Sequence, residues 1–406
     1  MRDVRLAVIA DDLTGAADTG VQLARCGYRA AVFFRGEPVD GNGLDAVALD
    51  TDSRSLSPEA ARERVREAGA AVRSAEIVYK KVDSTLRGNI AEEVEAAMRA
   101  TGRKKAVISP AFPEEGRTTA GGTQLLHGTA VHRTELAADH RTPVRESHIP
   151  ELFHGSGSVA GLDAGKLADA CLVRHALRDS RYLVADATED AHLRTLVEAI
   201  PDPSEVLWVG SAGLARALGG VYAGERSPES LPKPANNALV VVGSLGRASR
   251  EQLRALVEER GLPQVELRAT DDLPGGEPDA GAEIREAGSA LASALARGES
   301  VVLCSAPHTG RLPPEKVAEA LAGVVAGLEA GSFEALVLTG GDTAAAVCRS
   351  LGATGIELLG QVEAGVPVGR LLGPQPYPVV TKAGGFGGRD TLGDALKVLV
   401  RDSEER

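Results

Sequence analysis

Short apolar runs rich in β-branched residues alternate with longer stretches of helical periodicity along nearly the whole chain. Strands are expected at Arg5–Ala10, Ala30–Phe34, Asp45–Leu49, Ile77–Lys80, Ala106–Ser109 and Tyr182–Ala185. The series continues with Val206–Val209, Leu239–Val242, Val301–Cys304 and Ala335–Leu338. Between them the apolar spacing predicts helices over Pro58–Arg73, Ala164–Leu177, Glu251–Arg260, Ala282–Ala296 and Pro314–Glu329. Such alternation implies parallel strands joined by right-handed crossovers. The expected fold class is therefore α/β, with two domains, each a mostly parallel sheet flanked by helices.

Two domains also follow from length, since 406 residues exceed one ordinary core. The polar stretch 224–237 holds three prolines and no apolar periodicity, which makes it the expected linker between domains at 1–223 and 238–406. A second irregular stretch, 110–159, is rich in Gly, His, Arg and Thr. It is too long for a structureless loop in a compact domain, so it is expected to be a substrate-facing insertion or a set of short strands.

Composition sharpens this picture. Aromatic residues are only 3% of the chain, so the core is built mainly from Ala, Val, Leu and Ile, which suits a parallel sheet covered on both faces. A net charge of −12 argues against a nucleic-acid partner and requires any anionic ligand to be held by local cations and backbone amides. The four cysteines form no CxxC pair, as expected of reduced thiols in a cytoplasmic protein. No apolar run approaches the ~20 residues of a membrane span, and Asp11 and Asp12 interrupt the N-terminal run too early for a signal peptide. Whether the chain forms a homo-oligomer is left open.

Candidate chemistry lies at the ends of predicted strands, where open α/β sheets bind ligands. The first strand runs into Asp11 and Asp12 and then Thr-Gly-Ala-Ala, which opens a helix. One of these carboxylates caps that helix or both face a ligand hydroxyl, as orienting group or base. After the third strand comes Asp50-Thr-Asp-Ser-Arg54, whose arginine fork suits a carboxylate, either a ligand's or that of Asp50 or Asp52. The next tip, Lys80-Lys81-Val82-Asp83-Ser84-Thr-Leu-Arg87, gathers cations, a carboxylate and hydroxyls. These three tips fit an anionic polyol.

Tips in the second half change character. Val242-Gly-Ser244-Leu-Gly246, Gly340-Gly341-Asp342-Thr343 and Gly384-Gly385-Phe386-Gly387 are rich in glycine and hydroxyls. Glycine lets backbone approach phosphate oxygens, and the following helix N-terminus supplies oriented N–H donors, although any single pair also serves as an ordinary turn. No GxxxxGK[ST] loop, GxSxG elbow or strand-linked GxGxxG occurs, and His127, His132, His140 and His148 match no zinc spacing.

Taken together these motifs resemble the four-carbon acid sugar kinase family. The resemblance rests on IADDLTGAAD (9–18), DTDSR (50–54), KKVDSTLRGN (80–89), PAFPEEGR (110–117), WVGSAGLA (208–215), VVVGS (240–244), LTGGDTA (338–344), GVPVG (365–369) and KAGGFG (382–387). It implies ATP-dependent phosphorylation of threonate, erythronate or a 3-oxo-tetronate, with Mg2+ accompanying the nucleotide. By that resemblance Asp11, Arg54 and Lys81 through Ser84 hold the acid, while Ser244, Gly340–Thr343 and Gly384–Gly387 hold ATP. Asp11 or Asp12 is the candidate base with Asp83 next, Arg87 is placed to meet transferred phosphate, and Asp390 caps the last helix or positions metal. A non-catalytic sensor of the same fold and a sugar-acid dehydrogenase are the alternatives.

Overall fold

A computed structural model describes residues 4–139, 141–223, 230–268, 280–306 and 313–401. The chain divides into two compact units, Met1–Pro228 and Glu229–Arg406. Part of the expected linker, residues 224–229, lies outside the described residues. Among the described residues no helix is long and apolar enough to cross a membrane.

The N-terminal unit begins β1 (Leu6–Ala10), α1 (Leu13–Arg25), β2 (Ala30–Phe33), β3 (Ala46–Asp50), α2 (Pro58–Val72), β4 (Ile77–Lys81), α3 (Ile90–Thr101) and β5 (Lys105–Ser109). Three short strands follow, β6 (Arg117–Ala120), β7 (Thr123–Leu126) and β8 (Thr129–Ala130), and form a small antiparallel sheet of their own. Then come α4 (Ile149–Leu152), β9 (Val159–Leu162), α5 (Ala170–Asp179), β10 (Tyr182–Ala185), α6 (Asp190–Glu198), β11 (Val206–Gly210) and α7 (Ala212–Tyr222). The main strands are parallel in the order β2-β3-β1-β4-β11-β5-β10-β9. Strands β1, β3 and β4 are buried along their whole length, as a sheet covered on both faces requires.

Connection order fixes where this sheet opens. The crossover from β1 through α1 to β2 travels toward one edge, whereas β3 through α2 to β4 travels back past β1. Right-handed crossovers in opposite directions must use opposite faces. Accordingly α1 packs on α7 and α2 packs on α3. The loop after β1 thus leaves on one face and those after β3 and β4 on the other, and the carboxyl ends of these three strands frame a crevice.

The C-terminal unit repeats the device. Its elements are β12 (Ala238–Val242), α8 (Arg247–Arg260), β13 (Gln264–Leu267), α9 (Ala280–Leu295), β14 (Val301–Ser305), α10 (Pro314–Ala326), β15 (Ala335–Thr339) and α11 (Gly341–Ser350). They continue with β16 (Gly355–Glu363), β17 (Val366–Leu372), β18 (Pro378–Lys382) and α12 (Thr391–Leu399). The order is β13-β14-β12-β15-β18-β17-β16, parallel from β13 to β18, with β17 antiparallel to both of its neighbours. Here α8 packs with α12 while α10 packs with α11. The carboxyl end of β12 is the switch point, flanked by the carboxyl ends of β14 and β15.

Every expected strand is found to within one residue at either end. The helix expected over Ala164–Leu177 is instead a single 3₁₀ turn, Ala164–Lys166, followed by α5. Asp169 sets the true start, because its carboxylate accepts from the backbone N–H of Cys171 (3.0 Å) and Leu172 (3.1 Å). The irregular 110–159 stretch resolves largely into β6–β8 and short 3₁₀ turns.

Alternation along β4 has a large consequence. Neighbouring side chains point to opposite faces of a sheet, so Lys80 and Lys81 part company. Lys80, 0% exposed, meets Glu93 of α3 (2% exposed) with Nζ 2.8 Å from Oε2. Replacing Glu93 with Ala strands a buried ammonium, and the N-terminal unit is expected to lose roughly 3–5 kcal/mol. Trp208, the only tryptophan, is fully buried in β11 and reports on this unit alone. A lowered urea midpoint in its fluorescence, partly restored by the Lys80→Met/Glu93→Leu double variant, is the expected result.

Candidate active site

In the N-terminal unit the loops after β1 and β3 are bound together. Ser53 N–H (2.8 Å) and Arg54 N–H (3.2 Å) donate to the Asp11 carbonyl. The Arg54 side chain then returns across the loop, Nε donating to Asp11 Oδ2 at 2.7 Å and Nη2 to Asp11 Oδ1 at 3.0 Å. Its Nη2 also reaches Asp12 Oδ1 at 2.7 Å. The fork expected to meet a ligand carboxylate is thus engaged by both aspartates. Asp12 is the N-cap of α1 as well, accepting from Gly15 N–H at 2.9 Å.

Beneath this clamp runs a buried chain of hydrogen bonds. Thr51 Oγ1 lies 2.7 Å from both the Ala10 carbonyl and Ser53 Oγ, and Ser53 Oγ lies 2.8 Å from Glu93 Oε1, so the two hydroxyl hydrogens are shared along this chain of acceptors. Together with Lys80, these residues tie β1, β3, β4 and α3 into one support. Burial pushes the Asp11 carboxyl up, but the Arg54 guanidinium, aided by Lys80 and Lys81, outweighs it and holds Asp11 below the ordinary carboxylate value.

Lys81 goes to the other face. It is almost fully buried, and its ammonium donates to none of the described residues. A methyl group on Gly15 would stand 2.8 Å from Lys81 Nζ and 2.6 Å from Asp12 Oδ1, so the absence of a side chain there makes room for both. Asp18 lies one turn further along the same face of α1.

Residues 82–87 form a turn with Leu86 at φ +61°. Val82 is buried, with its N–H on the Gly210 carbonyl (2.9 Å). Asp83 Oδ2 accepts from Thr85 Oγ1 and from Arg87 Nε, both at 2.6 Å. Burial works against the Asp83 charge, yet Arg87, Arg54 and Lys81 hold its carboxyl far below the usual range. Ser84 is half-buried, and its carbonyl takes a hydrogen bond from Gln124 Nε2 at 2.7 Å. That contact seats the small β6–β7 sheet on the turn, and Asp186 fixes its tip by accepting from Gly121 (2.6 Å) and Gly122 (2.8 Å). His132 shares a hydrogen bond with Ser147 Oγ (2.8 Å) and His148 with Thr123 Oγ1 (3.5 Å), while His140 lies outside the described residues. The sequence reading gave no role to Asp18, Glu115, Arg117 or Gln124; only the fold brings 115–124 to the tips of β1 and β4.

The second unit presents a different surface. Three helices begin at the carboxyl edge of its sheet, with Gly246, Gly340 and Asp390 as N-cap residues, and none receives a side-chain cap. Asp390 therefore stands at the cap position without capping. Orphan N–H groups at helix starts offer donors and a favourable dipole to an anion. The loops interlock around Ser244: Gly246 N–H donates to Ser244 Oγ (3.2 Å), and Ser249 Oγ donates to the Gly384 carbonyl (2.7 Å). Gln252 Nε2 holds the carbonyls of Phe386 (3.0 Å) and Gly388 (2.8 Å), which shapes the Gly384–Gly387 loop. Gly340 has φ +101°, Gly341 and Asp342 open α11, Thr343 is buried against Gly243, and nothing crowds Gly385. Burial pulls the Lys382 ammonium down to about 8, against a smaller push from Glu363. Among the described residues no cluster of three His, Cys, Asp or Glu side chains could hold a metal ion.

Comparison with known proteins defines the class. Residues 6–218 match the family described as a sugar-binding N-terminal domain, and residues 239–392 the one described as a nucleotide-binding C-terminal domain. The chain is 34% identical to a D-threonate kinase from Salmonella typhimurium, over 97% of this chain and 98% of that one. It is 30% identical to a D-erythronate kinase from Heliobacterium modesticaldum, over 97% of each. A solved structure described as a putative tRNA synthase from Salmonella typhimurium shares the fold, with TM-score 0.82 at 24% identity over 98% of this chain and 100% of that one. The chain belongs to the four-carbon acid sugar kinase family.

The loop geometry gives a direct test of the second site. A methyl group at Gly384 would stand 2.2 Å from Ser244 Oγ. Gly384→Ala is expected to raise KM for ATP about tenfold, a loss of about 1.4 kcal/mol, with KM for the acid unchanged. Steady-state kinetics with each substrate varied in turn checks this.

Proposed function

We propose that this protein transfers the γ-phosphoryl group of ATP to a hydroxyl of a four-carbon sugar acid, of the threonate and erythronate type on which its relatives are named. Residues 1–223 form the acid-binding domain and 238–406 the nucleotide-binding domain, joined by 224–237. The observation that carries the reading is the contrast between the two switch points. One is lined by charged side chains with an unpartnered ammonium, and the other by glycine turns and uncapped helix starts.

In this reading Lys81 binds the acid's carboxylate and Ser84 a hydroxyl. Arg54 acts through its clamp, fixing Asp11 and Asp12 as acceptors that orient hydroxyl groups. Asp11 is a weak base, with both oxygens engaged by Arg54 and its carboxyl held low. Asp83 is weaker still, and serves to place Arg87 for the transferred phosphate. Backbone amides at Ser244, Gly340–Thr343 and Gly384–Gly387, with Lys382 beside them, take the nucleotide phosphates. The described residues fit a magnesium ion that arrives on those phosphates, since they offer no all-protein cage and Mg2+ commonly binds through phosphate, water and one or two carboxylates. It would neutralise charge on the phosphate chain. Positioning and charge neutralisation supply most of the catalysis in such transfers.

ADP release measured across threonate, erythronate and 3-oxo-tetronate checks the assignment. The expected outcome is turnover with at least one acid, with NMR locating phosphate on a carbon-bound oxygen of the product. Binding of acid and nucleotide without ADP from any of them identifies a sensor instead.

A further inference from the structure

Oδ1 of Asp18 is buried and has no hydrogen-bond partner, and neither has Nε of Arg117, which reaches the same neighbourhood from β6. Buried polar atoms in folded proteins are almost always paired, so an orphan acceptor and an orphan donor that act on one another electrostatically point to a polar ligand between them. Asp18 lies on the same face of α1 as Gly15, beside which the Lys81 ammonium stands without a hydrogen-bond partner among the described residues, and Lys81 acts electrostatically on the Asp18 carboxyl. An unpaired carboxylate oxygen, an unpaired ammonium and an unpaired guanidinium N–H thus lie within electrostatic reach of one another on this side of the sheet. Asp11 differs in having both oxygens committed to Arg54, while Asp12 Oδ1 is engaged by Arg54 and Gly15 and Asp83 Oδ2 by Thr85 and Arg87.

We propose that Asp18 is the proton acceptor of the phosphoryl transfer, its carboxylate touching the sugar-acid hydroxyl that attacks. The inference rests on the kinase reading above. In the step, the hydroxyl O–H bond breaks and its proton passes to the Asp18 carboxylate. The hydroxyl oxygen forms the new bond to the γ-phosphorus, and the bond from that phosphorus to the β,γ-bridging oxygen breaks, its electron pair leaving with ADP. Asp18 then returns the proton to water.

Surroundings suit the task. Burial pushes the Asp18 carboxyl up to about 6; Lys81 opposes it, Glu115 and Asp12 add to it, and Arg117 opposes it again. The Tyr79 phenol of β4, whose hydroxyl donates to the Ser211 carbonyl, stays protonated, raised well above its ordinary value chiefly by burial and slightly by Asp18. A base near the working pH combines a large ionised fraction with real proton affinity, which Asp11 and Asp83 lack.

Wild-type protein is first assayed for ADP release with the acid panel. Turnover there secures the kinase reading independently of Asp18. Asp18→Asn keeps shape and relieves a buried charge, so folding is expected to survive, as unchanged Trp208 fluorescence verifies. The expected result is a fall in kcat of roughly 100-fold or more with KM for the acid within threefold of wild type. The acidic limb of wild-type kcat/KM, which climbs with pH through about 6 as Asp18 ionises, is expected to vanish in the variant. Wild-type kcat in Asp18→Asn overturns the proposal. So does a raised KM at unchanged kcat, which marks a binding group, and so does persistence of the limb.

Discussion

The bidentate hold of Arg54 on Asp11, extended to Asp12, is the interaction on which the first site depends. It joins the loop after β3 to the loop after β1 at the point where consecutive crossovers leave by opposite faces. Without it two adjacent carboxylates would repel one another and the crevice between the strands would lack a defined rim. The guanidinium is 17% exposed and Asp11 4%, so water screens the pair little. Its cost in desolvation is offset because the Lys80–Glu93 pair and the Thr51–Ser53 hydroxyl chain satisfy the groups beneath it. The same arrangement lowers the basicity of Asp11 and leaves Lys81 and Asp18 as the groups with unspent capacity.

Both units use one topological device and fill it with opposite chemistry. In the first, α1 is capped by Asp12 and α7 by Ser211, so side chains consume the amides at these helix starts and charged groups face the crevice. In the second, helices α8, α11 and α12 start without side-chain caps, and the amides themselves remain on offer. A carboxylate with several hydroxyls needs cations and directional acceptors. A polyphosphate needs many N–H donors at close range, which side chains on the turn would obstruct. Helix α3, after the β4 tip, also starts without a side-chain cap. It is therefore the charged side chains of the first unit, set against the glycine turns and uncapped starts of the second, that separate a site for a polyol acid from a site for phosphates.

Much of this was legible in the chain. Apolar runs of parallel strands buried on both faces stand out because they are continuous, and each ends in a turn whose polar residues lie at the sheet's carboxyl edge. Harder to see were β9 (VAGL) and β13 (QVEL), whose partial exposure at the sheet edges weakens the apolar signal. Strands β16 and β17 are obscured where Gly360 and Gly369 break the apolar runs, and β18 (PVVTK) because its apolar run is only two residues long. Period-two alternation would have separated Lys80 from Lys81 had it been applied to β4. Asp18 sits in the quoted IADDLTGAAD run and Arg117 in PAFPEEGR, but their convergence depends on where the β6–β7 sheet docks, which local pattern does not encode. Nor does sequence show that the Arg54 fork turns inward to Asp11, since the same fork would serve a bound carboxylate equally well.

Hydrogen exchange on the wild-type protein, with each ligand added alone, tests the central claim that the charged switch point takes the acid and the uncapped one the nucleotide. A non-hydrolysable ATP analogue should slow amide exchange in 244–249, 340–344 and 384–391 and leave 11–18 and 81–88 as they were. The sugar acid should do the reverse. Protection of 11–18 and 81–88 by the nucleotide alone, with 340–344 and 384–391 unchanged, would contradict the account.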